Sequence, residues 1–372
     1  MIYLDYNATT PLDPRVADAM VPYLREHHGN PSSSHAPGRL VRAAVDRARA
    51  RVAALLGASP EQVVFTSGGS EANNHALKGV AWGHGSGHLI VSAVEHPAIT
   101  VPCRWLAERG FGLTEVGVDA SGRVDPEDVR RALRPDTVLI SVMLANNEVG
   151  TIEPVAEIGR IAREAGVLMH TDAAQAVGKI AVRVDELGVD LLSVAGHKFH
   201  APAGVGALYV RQGVKLESLI HGAGHEGGRR AGTEAVAAIV GLGVAAELAG
   251  DQAANAAIPA LRDRFHQGLT DQLGEGVVLN GHPEHRLPNT LNVSFRGCNG
   301  VELLASLDRV CASAGAACHS DRQEPSAVLR AMGVDRDLAL GAVRFSVGRF
   351  NTAHEIDRAV EAVVSAVRAT PA

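Results

Sequence analysis

Aromatic residues make up only 3% of this 372-residue chain, so its packing must rely on small and aliphatic side chains, and its 40 glycines fit that economy. Cysteine is scarce as well. Cys103, Cys298, Cys311 and Cys318 show no framework spacing, which argues against a disulfide-stapled secreted fold and suits a reducing compartment. No stretch approaches the ~18–20 consecutive apolar residues of a membrane helix. The opening MIYLDYNATTPLDP has no basic start followed by an apolar run, so no secretory leader is expected and a cytoplasmic location is. No basic run exceeds two residues, as at Arg229-Arg230, and the net charge is −6. A nucleic-acid surface needs a basic patch or stripe, so neither nucleic acid nor membrane is expected as a partner.

What is there is an ordinary globular composition, 46% hydrophobic and 20% charged. The length exceeds that of one typical compact core, so a large and a smaller domain are expected. Apolar runs at Glu61–Ser67, His88–Val94, Leu113–Val118, Thr137–Leu144, Val167–Thr171, Asp190–Ala195 and Val205–Val210 read as strands. Amphipathic helical patterns separate several of them, at Glu71–Trp82, Pro97–Arg109, Asp125–Leu133 and Pro154–Gly166. Near-continuous apolar strands alternating with helices predict an α/β fold with a mostly parallel sheet covered on both faces. After about residue 250 the texture changes. A long helical pattern over Asp251–Leu273, a strand at Thr290–Phe295, a short helix near Val301, a strand at Val343–Val347 and a closing helix at His354–Arg368 predict a smaller α+β domain. The expected division is residues 14–250 for the large domain, with 1–13 and 251–372 forming the small one.

The ends of the parallel strands carry the chemistry-bearing residues, where such sheets place their sites. Asp172 and Lys198 each stand just past an apolar strand, in HTDAAQ and AGHKF. An amine and a carboxylate on neighbouring strand ends suit pyridoxal phosphate, whose aldehyde needs a lysine and whose ring nitrogen needs an acid partner. Gly68-Gly69-Ser70 before a helix suits a phosphate, although an ordinary serine-capped turn reads equally well. His96 can stack on a flat ring or simply bond to backbone. Asn147 can reach a phenolic oxygen or cap its own loop, and Gln175 lies one turn beyond Asp172. His197 precedes the lysine. Each has an ordinary structural alternative; five successive strand ends of this kind together point to the cofactor.

The stretches YLDYNATTP, GNPSS, FTSGGSEANN, VEHPAI, ANNEVG, HTDAAQAVGK, GHKF, VGALYV, RRAGTE, RLPNTLNVSF, SAGAACHS and VRFSVGRFNT resemble the cysteine desulfurases and selenocysteine lyases of the class V aminotransferase family, over essentially the whole chain. The resemblance implies a fold-type I pyridoxal-phosphate enzyme and a homodimer with active sites at the interface. It implies Lys198 as the Schiff-base lysine, Asp172 at the pyridine nitrogen and His96 stacked on the ring. Gln175 and Asn147 are implied near the phenolic oxygen, and Gly69, Ser70 and His197 at the phosphate. Thr233 would reach the partner's phosphate, and Arg344 would clamp the substrate carboxylate as a planar bidentate donor. One departure is Ala195, where many desulfurases carry a serine that contacts the phosphate.

Cys318 lies in a run of small residues, CASAGAACHS, and the resemblance makes it the nucleophile that takes sulfur from L-cysteine as a persulfide, releasing L-alanine. His319 could help ionise it. For Cys103, Cys298 and Cys311 the expectation is buried small-domain cysteines. A zinc site at Cys298, Cys311, Cys318 and His319 has no C-x-x-C pair to recommend it, and His221 and His225 sit among glycines. Two features lean toward the selenocysteine branch: the GAACHSD pattern, and an end at Ala372 without the long tail some desulfurases use to dock an iron–sulfur scaffold. The readings are therefore cysteine desulfurase, with a sulfur- or selenium-acceptor protein as partner, then selenocysteine lyase, and more distantly an aminotransferase.

Overall fold

The computed structural model describes residues 1–251, 255–314, 316–317 and 324–369. Its centre is a seven-stranded sheet. Strand β1 (Ile2–Tyr3) lies apart; β2 (Val63–Thr66), β3 (His88–Ser92), β4 (Gly112–Val116), β5 (Thr137–Ser141), β6 (Leu168–Asp172), β7 (Leu191–Ala195) and β8 (Gly206–Val210) are ordered β2-β8-β7-β6-β5-β3-β4. The run β7-β6-β5-β3-β4 is parallel, whereas β8 pairs antiparallel with both β7 and β2. The expectation of a mostly parallel sheet therefore holds.

Successive strand residues point to opposite faces. Leu89, Val91 and Leu191 pack with helices Gly69–His84 and Pro97–Ala107, while Ile90, Leu192 and Val194 pack with helices Ala36–Leu56, Val155–Ala165 and Val236–Ala249. Both faces are covered, which is why the strands read as unbroken apolar runs. The strand boundaries are shorter than the apolar runs, because Pro60–Gln62 forms a 3₁₀ turn and residues beyond Ser92 and Ser141 leave the ladder to enter the loops.

A second, antiparallel sheet follows. Its strands are β9 (Val277–Asn280), β10 (Thr290–Phe295), β12 (Ser313–Ala314) and β15 (Ala342–Ser346), ordered β12-β15-β10-β9. The short strand β11 (Val310–Cys311) pairs in parallel with β1, and β13 (Ala316–Ala317) pairs with β14 (Glu324–Pro325). Helices Ile258–Leu273 and Ala353–Ala369 cover this sheet, with Phe265 edge-on to Phe345 at 4.8 Å between ring centres. Ile2 and Leu4 belong to the same apolar cluster as Val343 and Phe345. The first residues of the chain thus sit on its last strand, and residues 5–13 run from there to the ends of β6 and β7. Among the described residues no helix is long and apolar enough to cross a membrane.

Candidate active site

Strands β6 and β7 are parallel neighbours, with Asp172 opposite Ser193, so the segments that follow them emerge side by side. Asp172 is buried at the end of β6. Its Oδ2 accepts from the side-chain amide of Asn73 at 2.6 Å and its Oδ1 from the backbone N–H of Ala174 at 2.9 Å, which fixes the carboxylate plane. Lys198 ends the 3₁₀ turn Gly196–Lys198 after β7. Its Nζ donates to the backbone carbonyls of Asn7 (2.7 Å) and Ala8 (2.8 Å). Burial lowers its pKa to about 8, aided by the Arg344 charge and opposed by Asp172 and Asp5. A useful fraction of the amine is therefore neutral near pH 7, as a base or nucleophile requires.

These two residues share a cavity of about 360 Å³ with His96, Gln175, Asn147, Gly69, Ser70, His197 and Arg344, so nine of the expected site residues converge. Gly68, at φ +141°, lets the chain turn straight from β2 into the helix starting at Gly69, and a Cβ on Gly69 would stand 3.1 Å from that of Ala195. The start of this 16-residue helix is thus open to an anion, and the Ser70 hydroxyl has no hydrogen bond among the described residues. Ala195 contributes no hydroxyl on the opposite wall. His96 caps helix Pro97–Ala107, its Nδ1 accepting from the N–H of Ala98 at 3.1 Å, which assigns the ring proton to Nε2. Burial lowers its pKa; Asp172 opposes that shift and Lys198 adds to it. His197 falls to about 4 through burial and the Lys198 and Lys179 charges, so it serves as a neutral hydrogen-bonding group.

Asn147 and Gln175 differ in how they are held. The Asn147 side-chain amide makes no hydrogen bond among the described residues, while its carbonyl accepts from Arg344 Nη1 at 2.8 Å. The Gln175 amide is fully oriented: Nε2 donates to the Asn7 carbonyl at 2.9 Å and Oε1 accepts from Lys179 Nζ at 2.6 Å. Arg344, on β15, departs from the expected open fork. Its Nη2 donates to Asp5 Oδ1 at 2.8 Å and to Ser313 Oγ at 2.9 Å. Of the five guanidinium N–H groups, the one on Nε and one on Nη1 lack a partner among the described residues, and Nε is buried. A carboxylate can be gripped on both prongs only when Asp5 or Ser313 yields, because their contacts occupy both protons of Nη2.

Thr233 is exposed and lies outside this cavity. Cys318 and His319 lie outside the described residues. Cys103 is buried as expected, its thiol pushed up to about 12 by burial, but it sits on the helix after β3 rather than in the small domain. Cys298 and Cys311 are only half-buried, a correction to the buried expectation, because they lie at a loop and on the short strand β11. Sequence reasoning missed Asn7, Asn73, Lys179 and Asp5. Lys179 stands at i+4 from Gln175 and was visible in QAVGK; Asn7 and Asp5 meet partners on β15 339 positions away, so no local spacing signals them.

Pyridoxal phosphate makes four demands, and the cavity answers each: an anion cradle at Gly69-Ser70, a buried and oriented carboxylate at Asp172, an amine of depressed pKa at Lys198, and an uncommitted amide at Asn147. Comparison with known proteins agrees. The family model described as aminotransferase class-V matches residues 2–359. The chain is 48% identical over 363 residues to the cysteine desulfurase IscS of Dictyoglomus turgidum, covering 96% of this chain and 92% of that protein. It is 46% identical over 374 residues to the cysteine desulfurase of Homo sapiens, covering 99% and 82%. Among solved structures, a NifS-like protein superposes with a TM-score of 0.92 at 38% identity, covering 98% of each chain. A structure described as SspA in complex with cysteine gives 0.84 at 36% identity, covering 95% of this chain and 100% of that one. With the site's geometry and these relatives in agreement, the chain belongs to the class-V aminotransferase family.

Proposed function

We propose that this protein is a pyridoxal-phosphate-dependent cysteine desulfurase that converts L-cysteine to L-alanine and takes the sulfur onto its own Cys318. The observation that carries this reading is the convergence of Asp172, Lys198 and Arg344 on one cavity, in a chain whose relatives are named cysteine desulfurase. Those names favour cysteine over the selenocysteine and aminotransferase readings. The cofactor, when bound, supplies an electron sink next to the substrate Cα. Asp172, pinned by Asn73, would hold the ring nitrogen in its protonated form; Asn147 and Gln175 would serve the phenolic oxygen; Gly69, Ser70 and His197 would hold the phosphate. His96 would cover the ring. Arg344 binds the substrate carboxylate, and the neutral Lys198 amine takes the Cα proton. The Cys318 thiolate then forms a bond to the substrate sulfur as the Cβ–S bond breaks, leaving a persulfide.

A homodimer in which Thr233 reaches the partner's cofactor phosphate completes the proposal; its support is that Thr233 is exposed and away from its own cavity. The separate apolar cluster joining Ile2 and Leu4 to the C-terminal sheet supports a small domain of residues 1–13 and 251–372 beside a large one of 14–250. A sulfur-acceptor protein and a cytoplasmic location belong to the same reading.

The test is product analysis from L-cysteine with and without a thiol reductant. Equal alanine and sulfide, with sulfide release dependent on reductant, is the expected result. A keto acid without sulfide would establish transamination instead. Cys318→Ala should abolish sulfide from cysteine; turnover surviving with selenocysteine would show that selenium leaves without the thiol.

A further inference from the structure

Lys179 belongs to none of the roles above, yet its amine reaches the side chains that back the cavity. The turn after β6 brings it there. Gly178, at φ +78°, packs so closely that a Cβ would lie 2.7 Å from the Phe199 Cβ, and this tight bend returns the side chain of Lys179 onto Gln175. Nζ donates to Gln175 Oε1 at 2.6 Å and to Asn7 Oδ1 at 3.1 Å. A lysine amine facing two amides presents protons to both, so the atoms it touches are the carbonyl oxygens. That choice propagates. Gln175 Nε2 must then face the Asn7 carbonyl and the cavity, and Asn7 Nδ2 must face Thr290 Oγ1 (2.8 Å) and the Asn147 carbonyl (3.2 Å). The Asn7 carbonyl in turn holds the Lys198 amine.

We propose that Lys179 is a positioning residue that locks the Gln175 amide with its N–H₂ toward the cofactor's phenolic oxygen. The proposal rests on the cofactor reading given above. The polar groups around the amine fit this role: they are Lys198 beyond β7, Arg344 on β15, and the neutral His197 and His200, with no carboxylate beside it among the described residues. Burial and the Lys198 and Arg344 charges hold its pKa well below the ordinary lysine value.

The readout is the pH midpoint of the visible absorbance band of the purified holoenzyme, followed alongside its thermal midpoint and kinetics. A donor to the phenolic oxygen favours its ionised form. Lys179→Met frees the amide to flip, so the spectral midpoint should rise by about one pH unit, with kcat down roughly tenfold and KM for cysteine within about twofold. Lys179→Gln, which still offers an N–H to Gln175 Oε1, should keep the wild-type spectral midpoint, and it carries the test if the methionine variant does not fold. In a Gln175→Ala background, Lys179→Met should add no further shift, because the amide it orients is gone. An unshifted spectrum in Lys179→Met, a shifted one in Lys179→Gln, or additive shifts in the double variant would each overturn the proposal. Failure of the underlying cofactor reading shows separately, as a visible band that survives Lys198→Ala.

Discussion

The two walls of the cavity are built on different terms. The wall made by the parallel sheet carries Asp172, Lys198, His96 and the Gly68–Ser70 turn, each placed by its own strand end. Asp172 is oriented from within that same layer, by Asn73 and the Ala174 N–H. The opposite wall is made from the N-terminal segment and the antiparallel sheet, and its members hold one another across the whole chain. Arg344 bonds to Asp5, Ser313 and the Asn147 carbonyl; Asn7 bonds to Ser346, Thr290, Asn289, Gln175 and Lys179. Rigid strand ends suit groups that must keep a fixed position relative to a bound cofactor. A hydrogen-bonded seam suits groups that must release one partner to accept a substrate, as the Asp5–Arg344 pair must.

The sharpest way to break this contrast is on the parallel-sheet wall. Lys198→Ala should remove the visible cofactor band and lower alanine production by about 10²–10⁴-fold, the range for a lost positioned base; retained turnover would dissolve the assignment. On the seam, Arg344→Lys keeps the charge but loses the fork. KM for cysteine should rise roughly 10- to 100-fold with kcat far less affected, as expected for one or two charge-assisted hydrogen bonds. A fall in kcat at unchanged KM would instead place Arg344 outside substrate binding. Asn7→Ala keeps the carbonyl that holds Lys198 but strips the side chain from Lys179, Asn289 and Thr290. It should cost about 1–3 kcal/mol in denaturant unfolding, because buried donors lose their acceptor. A neutral effect would mean that the seam contributes no stability.

The smallest effect concerns pH. Glu95, buried and bonded to the Ser92 hydroxyl (2.5 Å) and the Met143 N–H (2.8 Å), is pushed up to about 8 by burial, as is Glu153. Their folded pKa values are raised, so between the ordinary carboxyl range and pH 8 the folded chain holds protons that the unfolded chain has lost. Stability from these groups therefore falls as pH rises. Buried His75, His170 and His200, lowered to about 4, 3 and 4, pull the other way below pH 6.5. Over pH 6.5–8 the histidines no longer contribute but the depressed Lys198 and Lys179 amines oppose the carboxyls, so the decline of at most about 1.4 kcal/mol per pH unit from each carboxyl is read as a difference between wild type and variant. Glu95→Gln should flatten that decline in thermal melts, and an unchanged slope would show that Glu95 is ionised in the fold.

How far each wall could be read from the amino-acid sequence follows the same division. The parallel-strand residues announce themselves because apolar runs mark the strands and the functional residue comes immediately after; Asp172 and Lys198 needed no more than that. Arg344 and Thr233 came from family resemblance alone. The engagement of Arg344 by Asp5 was not legible, since neither residue carries a local pattern and the antiparallel register Asn292↔Arg344 is set by the folded sheet. The helices Pro14–Arg25, Ala36–Leu56 and Val236–Ala249 went unread for a related reason. The last is apolar on all sides, since it packs against the other two, so the one-sided periodicity that reveals a surface helix is weak there.

The placement of residues 1–13 has a consequence for how the enzyme is born. A ribosome delivers Asp5 and Asn7 first, but Ser346 and Arg344 arrive 339 residues later. The parallel sheet can close as a unit during synthesis, domains forming in N- to C-terminal order. The acceptor that parks the Lys198 amine gains its partner on β15 only once Ser346 has been made. A chain that stops short of Arg344 therefore lacks the partners that hold Asp5 and Asn7, however well its sheet folds.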